Sequence, residues 1–199
     1  MDPTPPQLFG RPIIVLDTET TGIPHRDHWT ECVEWAAVLL DRDGTELDHF
    51  SALIRPAYTG PEIQAALDVN HLTLDILMSQ MPLAEVLPSI SGWLRKHGDP
   101  YCTAFNVGFD SKICTLMGLN VRWASCTMLR AMGPMGAAGA LQPGRYGKPK
   151  WPRLAEACAH FEIPQQEPAH RALADARSAA LVACAIRRAE LAATPTVAP

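Results

Sequence analysis

The stretch that decides the fold is Ile13-Ile14-Val15-Leu16-Asp17-Thr18-Glu19-Thr20-Thr21-Gly22. A short apolar run that ends at an acid is typical of a buried strand. Asp17 and Glu19 are two residues apart, so on a strand their carboxylates point to the same face and can meet at one spot. Gly22 closes the stretch with a residue that permits a tight turn or the close approach of a ligand. Taken alone, such an acid pair is also typical of a solvated strand end.

The segments around this strand predict a mixed α/β sheet. Residues 33–40 are a second apolar stretch, residues 41–44 (Asp-Arg-Asp-Gly) indicate a hairpin turn, and residues 47–54 fit a third strand. Three strands joined so tightly indicate an antiparallel meander. Further on, helix and strand signals alternate at residues 83–97, 101–105, 107–117, 154–161 and 171–191. Residues 123–129 fit either a strand or the start of a helix, and the glycine-rich residues 133–150 predict a flexible loop.

Two later segments place acids near the ends of predicted elements. Asn106 follows a strand and suits the N-cap of a helix, and Asp110 lies one turn into that helix. His170 stands just before the last helix, and Asp175 lies in its second turn. Each segment alone has an ordinary explanation, because an acid near the start of a helix also complements the helix dipole.

Four carboxylates and a histidine together fit a site for two divalent cations. Hard Mg²⁺ prefers oxygen ligands and retains water and substrate phosphates in its shell. Two such ions about 3.5–4 Å apart can flank a phosphodiester, one beside the attacking water and one beside the leaving oxygen. A histidine near that water suits the role of general base, since its unperturbed pKa of about 6.5 is close to neutral pH.

The composition indicates one domain and argues against several classes of protein. With 199 residues, 47% of them hydrophobic, the chain has room for a single core. No apolar run approaches the roughly 20 residues of a membrane helix, and the N-terminus lacks the layout of a secretory signal, so we expect a cytoplasmic protein. The six cysteines form no C-x-x-C pair, which favours reduced thiols over a zinc or disulfide framework. A net charge of −4 argues against a tight, non-specific duplex binder.

The three acidic segments resemble the motifs of the DEDDh, or DnaQ-like, 3′→5′ exonuclease family of the RNase H-like superfamily. The segment from Asp17 to Gly22 is similar to the first motif, that from Asn106 to Asp110 to the second, and that from His170 to Asp175 to the third. The histidine five residues before the last aspartate marks the branch that includes ribonuclease T and the proofreading subunit of bacterial DNA polymerase III. We therefore expect an exonuclease domain over residues 12–191, with a flexible segment at 1–11 and a disordered tail at 192–199.

The resemblance implies an RNase H-like exonuclease fold, in which helices flank a central mixed sheet of five strands. It implies that Asp17, Glu19, Asp110 and Asp175 hold two Mg²⁺ or Mn²⁺ ions while His170 deprotonates the attacking water. The expected reaction is hydrolysis at the 3′ end of single-stranded DNA or RNA, with DNA favoured, releasing nucleoside 5′-monophosphates. The alternatives are a proofreading subunit bound to a polymerase and a catalytically silent nucleic-acid-binding module. The possible protein partners are a polymerase and a second copy of the chain, which would form a homodimer.

The resemblance also implies contacts with the substrate. The residues in the matching positions are Thr18, Thr20, Thr21, Gly22, His71, Leu72, Asn106 and Phe109. The first-motif residues among them would line the pocket for the terminal nucleotide. His71 and Leu72 belong to a segment similar to the family's H-G-I-T, in which Leu72 would wedge against the terminal bases.

One further segment is locally basic. No acid occurs among residues 145–153, where four cationic side chains surround a tryptophan: Arg145, Lys148, Lys150, Trp151 and Arg153. Two interpretations remain open. The segment is either a surface that contacts phosphates while Trp151 stacks on a base, or a solvated loop with Trp151 packed in the core.

Overall fold

Four strands form the central sheet of the chain, for which a computed structural model describes residues 9–23 and 30–193. The strands are β1 (Ile13–Thr20), β2 (Cys32–Leu40), β3 (Glu46–Leu53) and β4 (Cys102–Thr103), in the order β3-β2-β1-β4. Strands β1, β2 and β3 pair antiparallel, and β4 pairs parallel to β1, so the predicted mixed sheet is confirmed. Apart from residues 9–11 and 192–193, the two terminal segments of the sequence prediction lie outside the described residues.

Seven α-helices surround this sheet in the described part of the chain. They are α1 (Gln64–Val69), α2 (Leu74–Met78), α3 (Leu83–Lys96), α4 (Val107–Leu116), α5 (Thr127–Ala137), α6 (Leu154–His160) and α7 (Ala172–Ala193). Side chains of α3 and α4 pack in one apolar layer, and those of α5, α6 and α7 pack in a second layer. Helices α1 and α2 contribute to a smaller cluster around Val33. None of the described helices has the length and hydropathy needed to span a membrane.

The alternation of side chains along β1 determines which helices its polar residues meet. Ile14 and Leu16 belong to the apolar layer of α3 and α4, whereas Val15 belongs to the layer of α5, α6 and α7. Side chains continue to alternate between the two faces of β1 in the polar residues that follow Leu16. Asp17 and Glu19 therefore point towards the side of α7, and the intervening Thr18 points towards the side of α4.

The prediction of a fifth strand is wrong for the described residues. Trp123 makes only an isolated parallel bridge with Cys102, held by backbone bonds of 2.7 Å from Cys102 N–H to Arg122 O and from Ala124 N–H to Cys102 O. The chain then enters α5 at Thr127, whose N–H donates to Ala104 O. Pairing ends after one residue because this helix begins before a second bridge can form. Of the two interpretations of residues 123–129, the start of a helix is therefore confirmed and the strand is wrong.

The prediction of a flexible loop over residues 133–150 is also wrong in part. Helix α5 continues through Pro134 to Ala137, because Met135 is fully buried in the second apolar layer and packing outweighs the proline. Beyond the helix, residues 142–150 fold back as a small hairpin with a 3₁₀ turn at Arg145–Gly147. The hairpin turn predicted at residues 41–44 is confirmed, since Asp41 Oδ1 accepts the N–H groups of Asp43 and Thr45 at 2.8 Å.

Candidate active site

Three carboxylates meet beyond the apolar part of β1. One oxygen from each of Asp17, Glu19 and Asp175 lies within 4.8 Å of the other two. The first two come from the same face of β1, and Asp175 comes from the first turn of α7, which packs against β1 and β2. Alternation along β1 brings Asp17 and Glu19 together, and the packing of α7 adds an acid more than 150 positions further along the chain.

The fourth acid, Asp110, approaches from the side of α4. Its side chain is 3% exposed, and its Oδ1 accepts the hydroxyl of Thr18 at 2.8 Å. Thr18 points to the side of α4 and not to that of Asp17, so it can fix this carboxylate beside the other three. The sequence prediction gave Thr18 a contact with the substrate, whereas the structure gives it a hydrogen bond to an acid.

Burial raises the pKa values of all four carboxyl groups, and repulsion by the other acids raises those of Asp17 and Glu19 further. Burial is the largest cause for each, and it raises the pKa of Glu19 to about 8 and that of Asp110 to about 7. The pKa of Asp17 lies well above its usual range, because burial is reinforced by the charges of Asp110, Glu19 and Asp175. Burial also raises the pKa of Asp175, although the neighbouring His170 opposes that shift. The isolated protein therefore holds protons here that solvent-exposed acids would release at neutral pH.

The donor set fits divalent cations with a preference for oxygen. No donor among residues 9–23 and 30–193 bonds the buried Oδ1 of Asp175. A buried acceptor of this kind is costly unless something compensates it, and a cation would both pair with this oxygen and relieve the repulsion between the acids. Asp17, Glu19, Asp110 and Asp175 offer carboxylate oxygens, the ligand type that Mg²⁺ and Mn²⁺ prefer. These residues therefore fit the cations that the sequence implied.

Two histidines stand at the rim of this cluster. His170 and His71 are both exposed, and their ring centroids are 6.4 Å apart. Both residues have a positive φ, 58° for His170 and 54° for His71. This conformation is uncommon for residues other than glycine, although histidine adopts it more often than most. His170 is also close enough to Asp175 for its charge and its backbone N–H to lower the pKa of that acid.

The turn after β1 is held by its own threonines. The Thr20 hydroxyl donates to Gly22 O at 2.7 Å, and Thr21 Oγ1 accepts the N–H of Glu31 at 2.9 Å. Asn70 Nδ2 donates to Thr20 O at 3.1 Å, which joins the segment of His71 to the first motif. Open space surrounds the position of a Cβ on Gly22. The expected contacts of Thr20, Thr21 and Gly22 with a nucleotide remain predictions.

Among the other predicted contact residues, Leu72 differs most from expectation. Its side chain is 3% exposed and packs with Leu67 and Leu77, so the structure gives it a packing role where the sequence prediction gave it a wedge against bases. Asn106 occupies the predicted N-cap of α4 but its side chain makes no capping bond, which leaves the amide available to a ligand. Phe109 is partly buried against the layer of α3 and α4.

A buried ion pair missed in the sequence holds the segment of His170. Glu34 on β2 lies opposite Glu19 in the sheet register and accepts Arg171 Nε at 2.9 Å and Nη2 at 3.1 Å. Its Oε2 also accepts the N–H of Ala172, the first residue of α7. The pair thus ties the start of α7 to the central sheet. The signal in the sequence was a single charged residue inside the apolar run of residues 32–40.

Comparison with known proteins identifies the family. The RNase_T family model, described as exonuclease, matches residues 14–183. The chain belongs to the RNase_T exonuclease family. A curated relative, the uncharacterized exonuclease CP81 of Escherichia phage 186, is 27% identical in an alignment of 177 residues, and the match covers 82% of this chain and 82% of that protein. The predicted resemblance to an exonuclease of the DEDDh type is therefore confirmed at the level of the family.

Solved structures of other exonucleases share the fold. The nuclease domain of 3′hExo, a DEDDh family member bound to rAMP, superposes with a TM-score of 0.67 at 16% identity, covering 90% of this chain and 92% of that domain. E. coli Exonuclease I in complex with a dT13 oligonucleotide gives a TM-score of 0.69 at 16% identity, covering 91% of this chain and 42% of that one. The RNase H-like exonuclease architecture is therefore confirmed, with four strands where five were expected.

The Glu34–Arg171 pair generates a prediction about stability. The Glu34 side chain is 3% exposed and that of Arg171 is 31% exposed. Arg171→Met should lower the free energy of unfolding by about 2–3 kcal/mol, because it leaves the Glu34 carboxylate buried with only the Ala172 N–H. Glu34→Gln should lower the free energy of unfolding by a smaller amount, since the Arg171 guanidinium can turn towards water. Chemical denaturation of the full chain measures both differences.

A surface pair in the same protein is the matched control. Arg177 and Glu46 are joined at 2.7 Å, but their side chains are 34% and 33% exposed. Arg177→Met should therefore lower the free energy of unfolding by at most about 1 kcal/mol. If Arg171→Met proved no more destabilising than Arg177→Met, the buried pair would not hold the start of α7 as inferred.

Proposed function

We propose that this chain is a metal-dependent 3′→5′ exonuclease that acts on single-stranded nucleic acid, with DNA favoured, and releases nucleoside 5′-monophosphates. The observation that carries the proposal is the meeting of Asp17, Glu19 and Asp175 within 4.8 Å, with Asp110 approaching from the other side of the sheet. A purely structural role does not account for this cluster, because four carboxyl groups whose pKa values are raised by burial destabilise the folded chain in their charged form unless cations or protons neutralise them.

The four acids would hold two Mg²⁺ or Mn²⁺ ions. When bound, these ions would supply positive charge to the phosphate oxygens and favour ionisation of water at neutral pH. The chain itself positions the acids: β1 fixes Asp17 and Glu19, the Thr18 hydroxyl fixes Asp110, and α7 carries Asp175. The phosphodiester gains an oxygen from water and its bond to the 3′ oxygen of the preceding nucleotide breaks. A shortened strand with a 3′-hydroxyl and a nucleoside 5′-monophosphate result.

His170 is the proposed general base. It is exposed, so its ring can reach a water molecule at the rim of the acidic cluster. Asp175 is close enough to interact with it electrostatically, and a nearby carboxylate stabilises an imidazolium once the proton has been taken. The Glu34–Arg171 pair next to it restricts the backbone from which the ring projects. His170 is therefore held at the site without being buried in it.

The choice between DNA and RNA is argued from the ligands that relatives bind. The 3′hExo domain bears rAMP and Exonuclease I bears dT13, so this fold accommodates both ribose and deoxyribose. The proposal favours DNA on the precedent of the dT13 complex. The residues proposed to contact the terminal nucleotide are Thr20, Thr21, Gly22, His71, Asn106 and Phe109. Asn106, whose side chain makes no capping bond, is proposed to donate its amide N–H to this nucleotide.

Degradation of end-labelled oligonucleotides tests the activity. With Mg²⁺ or Mn²⁺, the chain should release a 3′ label from single-stranded DNA as a mononucleotide before any 5′ label, and EDTA should stop the release. RNA of the same sequence should be cut more slowly. Asp17→Asn should remove nearly all activity, because it takes away an acid shared by the whole cluster.

The control for this experiment is an acid outside the cluster. Asp43 lies exposed in the hairpin turn between β2 and β3, so Asp43→Asn should leave cleavage unchanged. Release of the 5′ label first would overturn the proposed polarity. Full activity in EDTA or in Asp17→Asn would overturn the proposed site.

The two rim histidines should behave differently when truncated. His170→Ala should lower kcat by about 10²–10⁴-fold, the usual contribution of a general base, and leave the metal-induced rise in Tm intact. His71→Ala should act mainly on KM, because this residue is proposed only to contact the substrate. Steady-state kinetics and thermal melts with and without Mn²⁺ separate these effects. Equal losses of kcat in the two variants, or loss of the metal-induced rise in Tm in His170→Ala, would contradict the assignment.

A further inference from the structure

A basic hairpin follows α5 and is flanked by side chains of the apolar layer of α5, α6 and α7. We call residues 142–153, which join α5 to α6, the basic hairpin. Its backbone is closed by bonds from Gly144 N–H to Lys148 O at 2.9 Å and from Lys150 N–H to Gln142 O at 2.8 Å. A Cβ on Gly144 would lie 2.6 Å from Lys148 O, so this closure requires glycine. The segment has a defined shape and is not a featureless solvated loop.

The hairpin presents two aromatic side chains to solvent. Tyr146 is 96% exposed at its tip, and Trp151 is 59% exposed. Among the tryptophans that the structure describes, Trp35 and Trp93 are buried and Trp123 is partly buried, so Trp151 alone is exposed. Packing of Trp151 in the core, one of the two interpretations of this segment, is therefore wrong. Tyr146 also has a φ of 58°, an uncommon conformation for a bulky residue.

The charge around these aromatic rings is positive in an acidic protein. Residues 111–155 contain seven Lys or Arg and no Asp or Glu, whereas the whole chain has a net charge of −4. Arg145, Lys148, Lys150 and Arg153 are all exposed, and none of them forms an ion pair with a carboxylate of the described residues. These four cations, which lack a carboxylate partner among residues 9–23 and 30–193, are thus available to an anionic ligand.

The hairpin lies on the same side of the sheet as the proposed site. Leu141 and Leu154, which flank it, pack in the apolar layer of α5, α6 and α7. Helices α5 and α6 both pack against α7, which carries Asp175. Asp17 and Glu19 point to this same side of β1.

We propose that the basic hairpin is an auxiliary binding surface for single-stranded nucleic acid. Tyr146 and Trp151 stack on bases, and the surrounding Lys and Arg side chains pair with phosphates. The nucleotides bound there lie on the 5′ side of those held at the carboxylates. Exposed rings between cations favour this ligand over an acidic protein, since an unpaired strand offers bases to stack and phosphates to neutralise. The identity of the strand as substrate rests on the proposed exonuclease function.

Equilibrium binding without cleavage is the first test. The anisotropy of a labelled 20-nucleotide single-stranded DNA is measured against the full chain in EDTA. Tyr146→Ala/Trp151→Ala should weaken binding at least about fivefold, as expected when a base loses its stacking partner. Lys148→Ala/Lys150→Ala should also weaken it, and should reduce the slope of log K against log salt by about 1.4 if two phosphates lose their partners.

A variant with the same loss of charge elsewhere is the matched control. Arg42 and Arg188 are exposed and lie outside the hairpin, so Arg42→Ala/Arg188→Ala should leave affinity and salt dependence unchanged. Circular dichroism should show all variants folded, since each altered side chain is exposed. Binding that is equal in the wild type and both hairpin variants would overturn the proposal, as would equal losses in the control.

Cleavage of short and long substrates separates the hairpin from the catalytic site. The hairpin variants should raise KM for the 20-nucleotide DNA and leave both kcat and the hydrolysis of a dinucleotide unchanged. A loss of dinucleotide hydrolysis would overturn an auxiliary role, because the hairpin would then belong to the catalytic site. If the wild type cleaved nothing while the hairpin variants still lost binding, the exonuclease proposal would fail and the binding surface would stand.

Discussion

Repulsion between four carboxyl groups beyond the apolar part of β1 is the constraint on which the rest of the structure depends. Burial and neighbouring charges raise the pKa of Glu19 to about 8, and they raise that of Asp17 well above its usual range. Burying like charges together destabilises the folded state, so the surrounding elements must hold the acids in place. The hydroxyl of Thr18 holds Asp110, and the Glu34–Arg171 pair ties α7, which carries Asp175, to the sheet. Much of the local structure serves to keep like charges together.

The sheet makes this arrangement possible through the alternation of its side chains. Ile14 and Leu16 belong to one apolar layer, and Val15 belongs to the other. The same alternation sends Asp17 and Glu19 towards α7 and sends Thr18 towards α4. A slip of one residue in β1 would reverse all of these directions, so the apolar core and the acidic cluster are fixed by the same strand register.

The acids and their elements could be predicted from the sequence because strand and helix periods are local properties. Because Asp17 and Glu19 are two residues apart on β1, their side chains point to the same place, and short sequence patterns predict the helix starts after Asn106 and near His170.

The long-range contacts could not be predicted in this way. Glu34 meets Arg171 across 137 positions, and no local pattern specifies that contact. Leu72 was assigned to the substrate by resemblance, but the packing of α1 and α2 buries it. The fifth strand is reduced to one bridge by the position at which α5 begins.

The most direct test of this account is calorimetric titration of the chain with Mn²⁺ near pH 7, in two buffers with different enthalpies of ionisation. The raised pKa values of Asp17, Glu19 and Asp110 predict that bound cations displace protons from the carboxyl groups. The measured heat should then differ between the buffers, the release of protons should decrease as the pH is raised past the pKa of Glu19, about 8, and Asp175→Asn should weaken binding. Binding of Mn²⁺ with no release of protons at pH 7, or equal binding by Asp175→Asn, would contradict the claim that cations neutralise this acidic cluster.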